Sequence, residues 1–140
     1  MAICLQAEVR YGAATSLGQV GQVGQAMLTI RREQLQRDDS WARRRDAGRF
    51  LGQMGLGDEA TIVALWRGLL DRNNDVRTAC AQAMALMGRR FPEKAEAIMA
   101  KLVLALSEPE FDQPDDIKKR TGHDYAFDAL WLLVTGGALN

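Results

Sequence analysis

Histidine and cysteine are scarce in this chain, and their scarcity removes most catalytic and metal-binding arrangements from consideration. His123 is the only histidine, and Cys4 and Cys80 are the only cysteines among 140 residues. No Ser/His/Asp or Cys/His set can be assembled with a recognisable spacing. Two cysteines, one of them on an apolar helical stripe, do not indicate a disulfide framework. We therefore predict that the chain has no catalytic residue, no metal site and no cofactor.

Net charge and long apolar runs are also missing. Lys+Arg and Asp+Glu both total 18, so the formal net charge is zero, whereas a general polyanion binder is usually basic overall. No stretch reaches the roughly 18 to 20 apolar residues that span a bilayer. The N-terminal sequence MAICLQAEVR lacks the basic region and the apolar core of a signal peptide. We expect a cytoplasmic protein with no membrane partner and no general affinity for nucleic acids.

The chain does contain a repeat, which is clearest at residues 75–88, DVRTACAQAMALMG. Sliding the sequence on itself aligns Arg10, Arg44 and Arg77, at spacings of 34 and then 33 residues. A fixed period in this range indicates stacked supersecondary units, each too small to bury its apolar face alone. The same shifts align three further sets: Ala13, Ala47 and Cys80; Leu17, Leu51 and Met84; and Gly21, Gly55 and Gly88.

Each copy of the repeat has the pattern of an amphipathic helix. In the third copy the apolar positions are Val76, Cys80, Met84 and Met87, which share one helical face. Small residues at neighbouring positions indicate that helices pack closely there. The final glycine of each copy predicts a helix that ends in the left-handed conformation. The glycine-rich tract at residues 18–25 lacks the Lys-Ser/Thr ending of a phosphate loop.

Helices also alternate with the copies, so each unit is predicted to be a helix pair. Asp39-Ser40 and Asn74-Asp75 are expected helix caps, and Asp58 and Pro92 mark further starts. Since no window shows sustained strand alternation, the predicted fold is all-α. The expected helices cover about 8–21, 24–36, 40–54, 58–71, 75–87, 92–107 and 125–134, with a long loop over 107–124. We expect one domain, 1–140, with repeat helices near 8–21, 40–55, 75–88 and 120–135.

The segments Glu8-Val9-Arg10 to Gly21 and Asp75-Val76-Arg77 to Gly88 resemble HEAT-type repeats, especially the short bacterial, PBS-lyase-type kind. The resemblance implies a right-handed α-solenoid, an armadillo-like superhelix of about three to four helix pairs. In that family the Val-Arg helix lines the concave side, and its arginine commonly pairs with an acidic residue of an adjacent repeat. Copy two departs from the pattern, because Ala42-Arg43 replaces acidic-Val. HEAT-like enzymes that hold iron need several His-Glu pairs, which one histidine excludes.

Helical geometry then names the residues of the inner surface. The predicted partner-binding residues are Tyr11, Thr15, Arg45, Arg49, Gln53, Gln82, Asp124 and Asp128. Gln19, Thr78, Leu86 and Leu132 fall on the same face. Arginines in the middle and aspartates at one end suit a polar protein segment. Asp115 and Asp116 are expected to decorate the loop, and His123 to be an exposed or capping residue.

The favoured function is a non-catalytic scaffold or protein-interaction module whose partner binds the concave face. One alternative is nucleic-acid binding through Arg43, Arg44, Arg45 and Arg49, because HEAT-like DNA glycosylases bind duplexes with a basic surface. Another is an auxiliary subunit of a bilin chromophore lyase. The C-terminal sequence DYAFDALWLLVTGG is similar to HEAT regions of bacterial STAND NTPases.

Self-association is also expected, because the chain begins almost at a second-of-pair helix. An uncovered repeat exposes the surface that its neighbour would bury. The predicted contacts of this homo-oligomer are Ile3, Leu5 and the helix around Trp131. Alternatively, residues 1–7 fold back as a cap, or the chain is a fragment of a longer array.

Overall fold

The computed structural model describes residues 13–136, with side chains from residue 21 onward. In this part of the chain the only pairing of the β type is an isolated bridge between Pro114 and Thr121, so the predicted all-α fold is confirmed. The helices are α1 (Ala13–Arg37), α2 (Trp41–Met54), α3 (Glu59–Gly68), α4 (Asn74–Arg90), α5 (Pro92–Ser107) and α6 (Gly122–Thr135), with a short 3-10 helix at Pro109–Phe111.

The chain divides into two compact units, Met1–Ile30 and Arg31–Asn140. The fold and the candidate site below are those of the second unit. A single domain, the handedness of the solenoid and the number of repeats remain predictions.

Helix α1 corrects the first predicted helix boundary. It runs without a break from Ala13 to Arg37, so Gly21 and Gly24 lie inside a helix instead of closing one. A glycine usually ends a helix when the residues after it include a proline or a side chain that can cap a new helix. Residues 18–28 contain no proline and no Ser, Thr, Asp or Asn that could cap a new helix. The helix therefore continues, at a cost of about 1 kcal/mol for each glycine relative to alanine.

The glycines of copies two and three also have a different role from the predicted one. Gly55 follows α2 with an extended backbone, φ −67° and ψ 154°, and Gly88 lies inside α4, which continues to Arg90. A Cβ atom on Gly88 would lie 2.6 Å from Cδ1 of Leu133 in α6. Gly88 thus allows two helices to approach closely. The left-handed helix end predicted at these positions was wrong.

Polar side chains cap the helices where the sequence pattern predicted, with one shift. Ser40 accepts a hydrogen bond from the backbone N–H of Arg43 at 3.4 Å, and Asp58 accepts one from Thr61 at 3.2 Å. In the third copy the cap is Asn73, not Asn74 or Asp75. Its side-chain oxygen accepts from the N–H groups of Asp75 and Val76, at 2.8 and 3.2 Å. Each such cap satisfies donors that the first helical turn leaves unpaired.

Helix α4, which contains the clearest copy of the repeat, is the centre of the second unit. It packs against α2, α3, α5 and α6. Its predicted apolar stripe is buried throughout: Val76, Cys80, Met84 and Met87. Cys80 is a free thiol, and burial, with the nearby charge of Asp71 as a smaller contribution, raises its pKa. Such a thiol packs as a small apolar group, as the sequence predicted.

Gly52 provides a direct test of the close packing between α2 and α4. A Cβ atom there would lie 2.6 Å from Cβ and 2.8 Å from Cα of Ala83, so the backbones must separate. We expect Gly52→Ala to lower the free energy of unfolding by about 1 to 2 kcal/mol, because overpacking outweighs the gain in helix propensity. Urea denaturation measures the change.

Gly24→Ala is the matched control. No described heavy atom lies within 4 Å of a Cβ added at this position in α1, so the same substitution should stabilise the protein by about 0.5 to 1 kcal/mol. Equal effects of the two substitutions would contradict the close approach of α2 and α4.

Candidate partner-binding groove

Two neighbouring grooves lie on the face that the sequence predicted to be the inner surface. The first, of about 170 Å³, lies between α2 and α4 and is lined by residues that include Arg49, Gln53 and Leu86. The second, of about 400 Å³, lies between α4 and α6 and includes Thr78 and Leu132. Gln82 on α4 lines both grooves. We refer to the two together as the α4 groove.

The part of the α4 groove next to α2 is small, because small residues let the two helices approach closely. Gly52 faces Ala83, and a Cβ atom on Gly48 would lie 3.3 Å from Sγ of Cys80. Arg49 and Gln53 project from α2 above this contact and are exposed. The guanidinium of Arg49 lies 3.9 Å from the carboxylate of Asp46, and both side chains are more than half exposed. Solvent weakens such a pair, so Arg49 can exchange it for a partner.

The part next to α6 is larger, and its lining contains more charged side chains. The guanidinium of Arg120 lies 2.8 Å from the carboxylate of Asp128 and 4.5 Å from the centre of the Tyr125 ring. Lys118 adds a second cation at the rim and is exposed. Burial and a hydrogen bond to Asp115 raise the pKa of Tyr125 to about 12. The neutral ring packs against the guanidinium of Arg120.

Asp115 organises the loop that carries Lys118 and Arg120, which corrects the expectation that it merely decorates this loop. The residue is buried. One carboxylate oxygen accepts from the N–H groups of Ile117, Lys118 and Lys119 at 3.1, 2.6 and 3.0 Å. The other accepts from the Tyr125 hydroxyl at 2.9 Å. Burial alone would raise the pKa of Asp115, but these hydrogen bonds hold it below its ordinary value.

Arg77 attaches the same loop to α4. It is buried, and its guanidinium donates to the carbonyl oxygens of Asp71, Gln113 at 2.7 Å and Arg120 at 3.2 Å. Burial lowers the pKa of Arg77, and the charge of Asp115 opposes that shift. The family resemblance implied an acidic partner for this arginine. Here it binds mainly backbone carbonyls, because the loop brings several of them to one point.

Copy two does have the implied ion pair, although its sequence departs from the pattern. Arg44 is buried and binds both carboxylate oxygens of Asp71, at 2.8 and 3.1 Å. It also donates to the carbonyl oxygen of Asp38 at 2.8 Å. This geometry makes Arg44 a structural residue. The four arginines of the nucleic-acid alternative therefore do not form one exposed cluster, since Arg44 belongs to the interior.

The predicted partner-binding residues fall into three groups. Four of them line the α4 groove: Arg49, Gln53, Gln82 and Asp128. Two have local roles: Arg45 pairs with Asp46 at 3.0 Å and lies 5.1 Å over the Trp41 ring, and Asp124 accepts from the backbone N–H of Thr121 at 2.9 Å in a capping box. Tyr11 lies outside the described residues, and Thr15 is described only as part of α1.

Three polar residues that line the groove were not predicted from the sequence: Lys118, Arg120 and Tyr125. The first two lie in the stretch expected to be a loop, and their position depends on Asp115. The sequence DDIKK at residues 115–119 does not reveal by itself that the Asp115 carboxylate accepts from three successive N–H groups. Tyr125 was assigned to the apolar closing helix, and helix α6 begins earlier than expected, at Gly122.

His123 has a local role in the same region. Its Nε2 lies 3.0 Å from the carbonyl oxygen of Glu108, and its Nδ1 lies 4.0 Å from the Asp112 carboxylate. Within residues 13–136 no group of three His, Cys, Asp or Glu side chains could hold a metal ion. No helix in the described region is both long and apolar enough to cross a membrane.

Comparison with known proteins agrees with this architecture. A family model described as HEAT repeats matches residues 6–85, a range that includes the first two copies of the repeat and most of the third. The comparisons with curated proteins and with solved structures gave no match. The match covers more than half of the 140 residues, and the helix pairs centred on α4 are those that such repeats form. The chain therefore belongs to the HEAT repeat family.

Proposed function

We propose that the chain is a non-catalytic protein-interaction module that binds an extended acidic segment of a partner protein in the α4 groove. The observation that carries this proposal is the sharing of Gln82 by the two neighbouring grooves. A ligand lying across Gln82 contacts α2, α4 and α6 together. Stacked repeats commonly use such surfaces to bind protein segments.

The charge of the α4 groove supports an acidic partner. Its lining contains three cations, Arg49, Lys118 and Arg120, and one carboxylate, Asp128. Since Asp128 is already paired with Arg120, the excess positive charge comes from Lys118 and from Arg49, whose ion pair with Asp46 is solvent-exposed. They belong to α2 and to the loop before α6, on opposite sides of α4. A segment with acidic residues toward both ends would match this distribution.

The exposed amides favour an extended backbone in the ligand. Gln53 and Gln82 are both exposed in the groove. Each amide group offers two N–H donors and a carbonyl acceptor, and an extended chain presents one unpaired N–H and one unpaired C=O at nearly every residue. Leu86 adds exposed apolar surface on the side next to α2. A cytoplasmic location and a scaffolding role stay predictions that accompany this proposal.

Selection from a random peptide display library tests the proposal. We expect enrichment of peptides with several Asp or Glu residues, and we expect the double variant Arg49→Glu/Lys118→Glu to bind them at least about tenfold more weakly. Fluorescence anisotropy at two salt concentrations gives the affinities. The single variant Gln82→Arg distinguishes groove binding from general charge attraction, because it adds a cation but fills the centre of the groove and should also weaken binding.

Arg43→Glu is the matched control. Arg43 lies on α2, its side chain is 74% exposed, and it does not line the groove. This variant should bind the selected peptides as the unmodified protein does. Enrichment of peptides without acidic residues, or equal losses for Arg43→Glu and the double variant, would count against the α4 groove as the binding site.

A further inference from the structure

The side of α6 that faces away from α4 carries an exposed apolar surface. Phe127, Trp131 and Val134 are 58%, 50% and 70% exposed, and their spacing of four and three residues places them on one side of the helix. The opposite side contacts α4: Tyr125 lies over Arg77, and Leu133 lies next to Gly88. The exposed side therefore has the position at which a further helix pair of the stack would pack.

Helix α5 continues this surface. Lys101 marks the side that faces α3, because its ammonium lies 4.9 Å over the Trp66 ring and its carbonyl accepts from the Trp66 indole N–H at 2.8 Å. Val103 is roughly 200° and Leu106 roughly 140° further round the helix, and both are exposed. Helices α5 and α6 pack against each other. We call Val103, Leu106, Phe127, Trp131 and Val134 the end face.

The size and charge of the end face indicate what covers it. Large apolar side chains have areas of about 150 to 250 Å², so at these exposures the five expose on the order of 500 Å². Two such faces together bury on the order of 1,000 Å², which is about the smallest area that a specific interface has. None of the five residues is charged. A charged partner surface would lose its hydration here without gaining an ion pair, whereas a second end face is equally neutral and apolar.

We propose that a second copy of this chain covers the end face, so that the protein forms a symmetric dimer through α5 and α6. In a two-fold arrangement the same patch lies on both subunits, so the interface needs no second complementary surface. The exposed side of α6 in one subunit can pack against the end face of the other as helices pack within the unit. Because the α4 groove lies on a different side of α6, peptide binding and dimerisation are independent.

Light scattering after gel filtration and sedimentation velocity test the dimer at micromolar concentrations of the full chain. We expect a dimer for the unmodified protein. Trp131→Glu and Val103→Glu, on α6 and α5, should each raise the dissociation constant at least about tenfold, because charge is placed within a desolvated apolar contact. Ile117→Glu is the matched control, since Ile117 is 72% exposed but lies outside the end face, and it should leave the dimer intact.

Circular dichroism checks that each variant keeps its helices. We expect that it does, because substitutions at exposed positions usually have little effect on stability. A monomeric unmodified protein at every concentration up to its solubility limit would overturn the proposal. A dimer that survives either Trp131→Glu or Val103→Glu would also overturn it, because the contact would then lie elsewhere.

Discussion

Arg77→Met should lower the free energy of unfolding by about 3 to 5 kcal/mol, the largest effect that we expect from a single substitution in this chain. Methionine has a similar length but no donor. The carbonyl oxygens of Asp71 and Gln113 would therefore lose a buried hydrogen-bond partner, whereas that of Arg120 would keep the backbone N–H of Asp115 at 2.8 Å. Each buried acceptor left unsatisfied costs about 1 to 3 kcal/mol. Urea denaturation followed by circular dichroism measures the loss.

Arg77→Lys is the informative control for geometry. Lysine retains the charge, but its single ammonium group cannot reproduce the planar fork that reaches carbonyls on both sides of the loop. We expect it to recover less than half of the lost stability. Hydrogen exchange should also become faster in residues 113–120 of Arg77→Met, because the loop depends on this anchor. A stability loss below about 1 kcal/mol would show that the guanidinium is not required.

Leu51→Ala should lower the free energy of unfolding by about 2 to 4 kcal/mol, since truncating a buried leucine loses apolar burial and leaves a cavity. Leu51 has no exposed surface and lies on α2. Arg49→Ala, two residues earlier on the same helix, should cost under about 0.5 kcal/mol, because the Arg49 side chain is 58% exposed and its ion pair is weak.

Urea denaturation of the two variants in parallel checks the orientation of α2. If the free energy of unfolding falls with urea concentration at the same slope in both variants, the difference between them is a difference in stability and not in the compactness of the unfolded state. If Arg49→Ala were the more destabilising of the two, the assignment of Leu51 to the core and of Arg49 to the α4 groove would be wrong.

The periodic pattern was sufficient to predict the helical fold because it reflects burial, which depends on which side of a helix faces its neighbours. Val76, Cys80, Met84 and Met87 could be assigned to the core from spacing alone. In each repeat helix, the helical angle measured from the apolar stripe then placed Arg49, Gln53 and Gln82 on the opposite side. These three residues do line the α4 groove.

The glycines show where a local pattern is ambiguous. A glycine in a helical sequence can end the helix, or it can remain inside and let a neighbour approach, and both uses look the same in the sequence. Gly88 has the second role because Leu133 lies against it, although the two residues are 45 positions apart. Only the tertiary contact decides between the two.

The sequence by itself determined the repeat, the all-α fold, the buried stripe and part of the groove, because these follow from the periodicity of helices. The tertiary structure decided the roles of the charged residues. Arg44 and Arg77 occupy equivalent positions, yet one binds a carboxylate and the other backbone carbonyls. Asp115 looks like a loop residue in sequence but holds Lys118 and Arg120 at the groove through bonds to Tyr125 and three backbone N–H groups. A charged side chain acts on whichever groups the fold brings within about 3 Å, and sequence spacing does not contain that information.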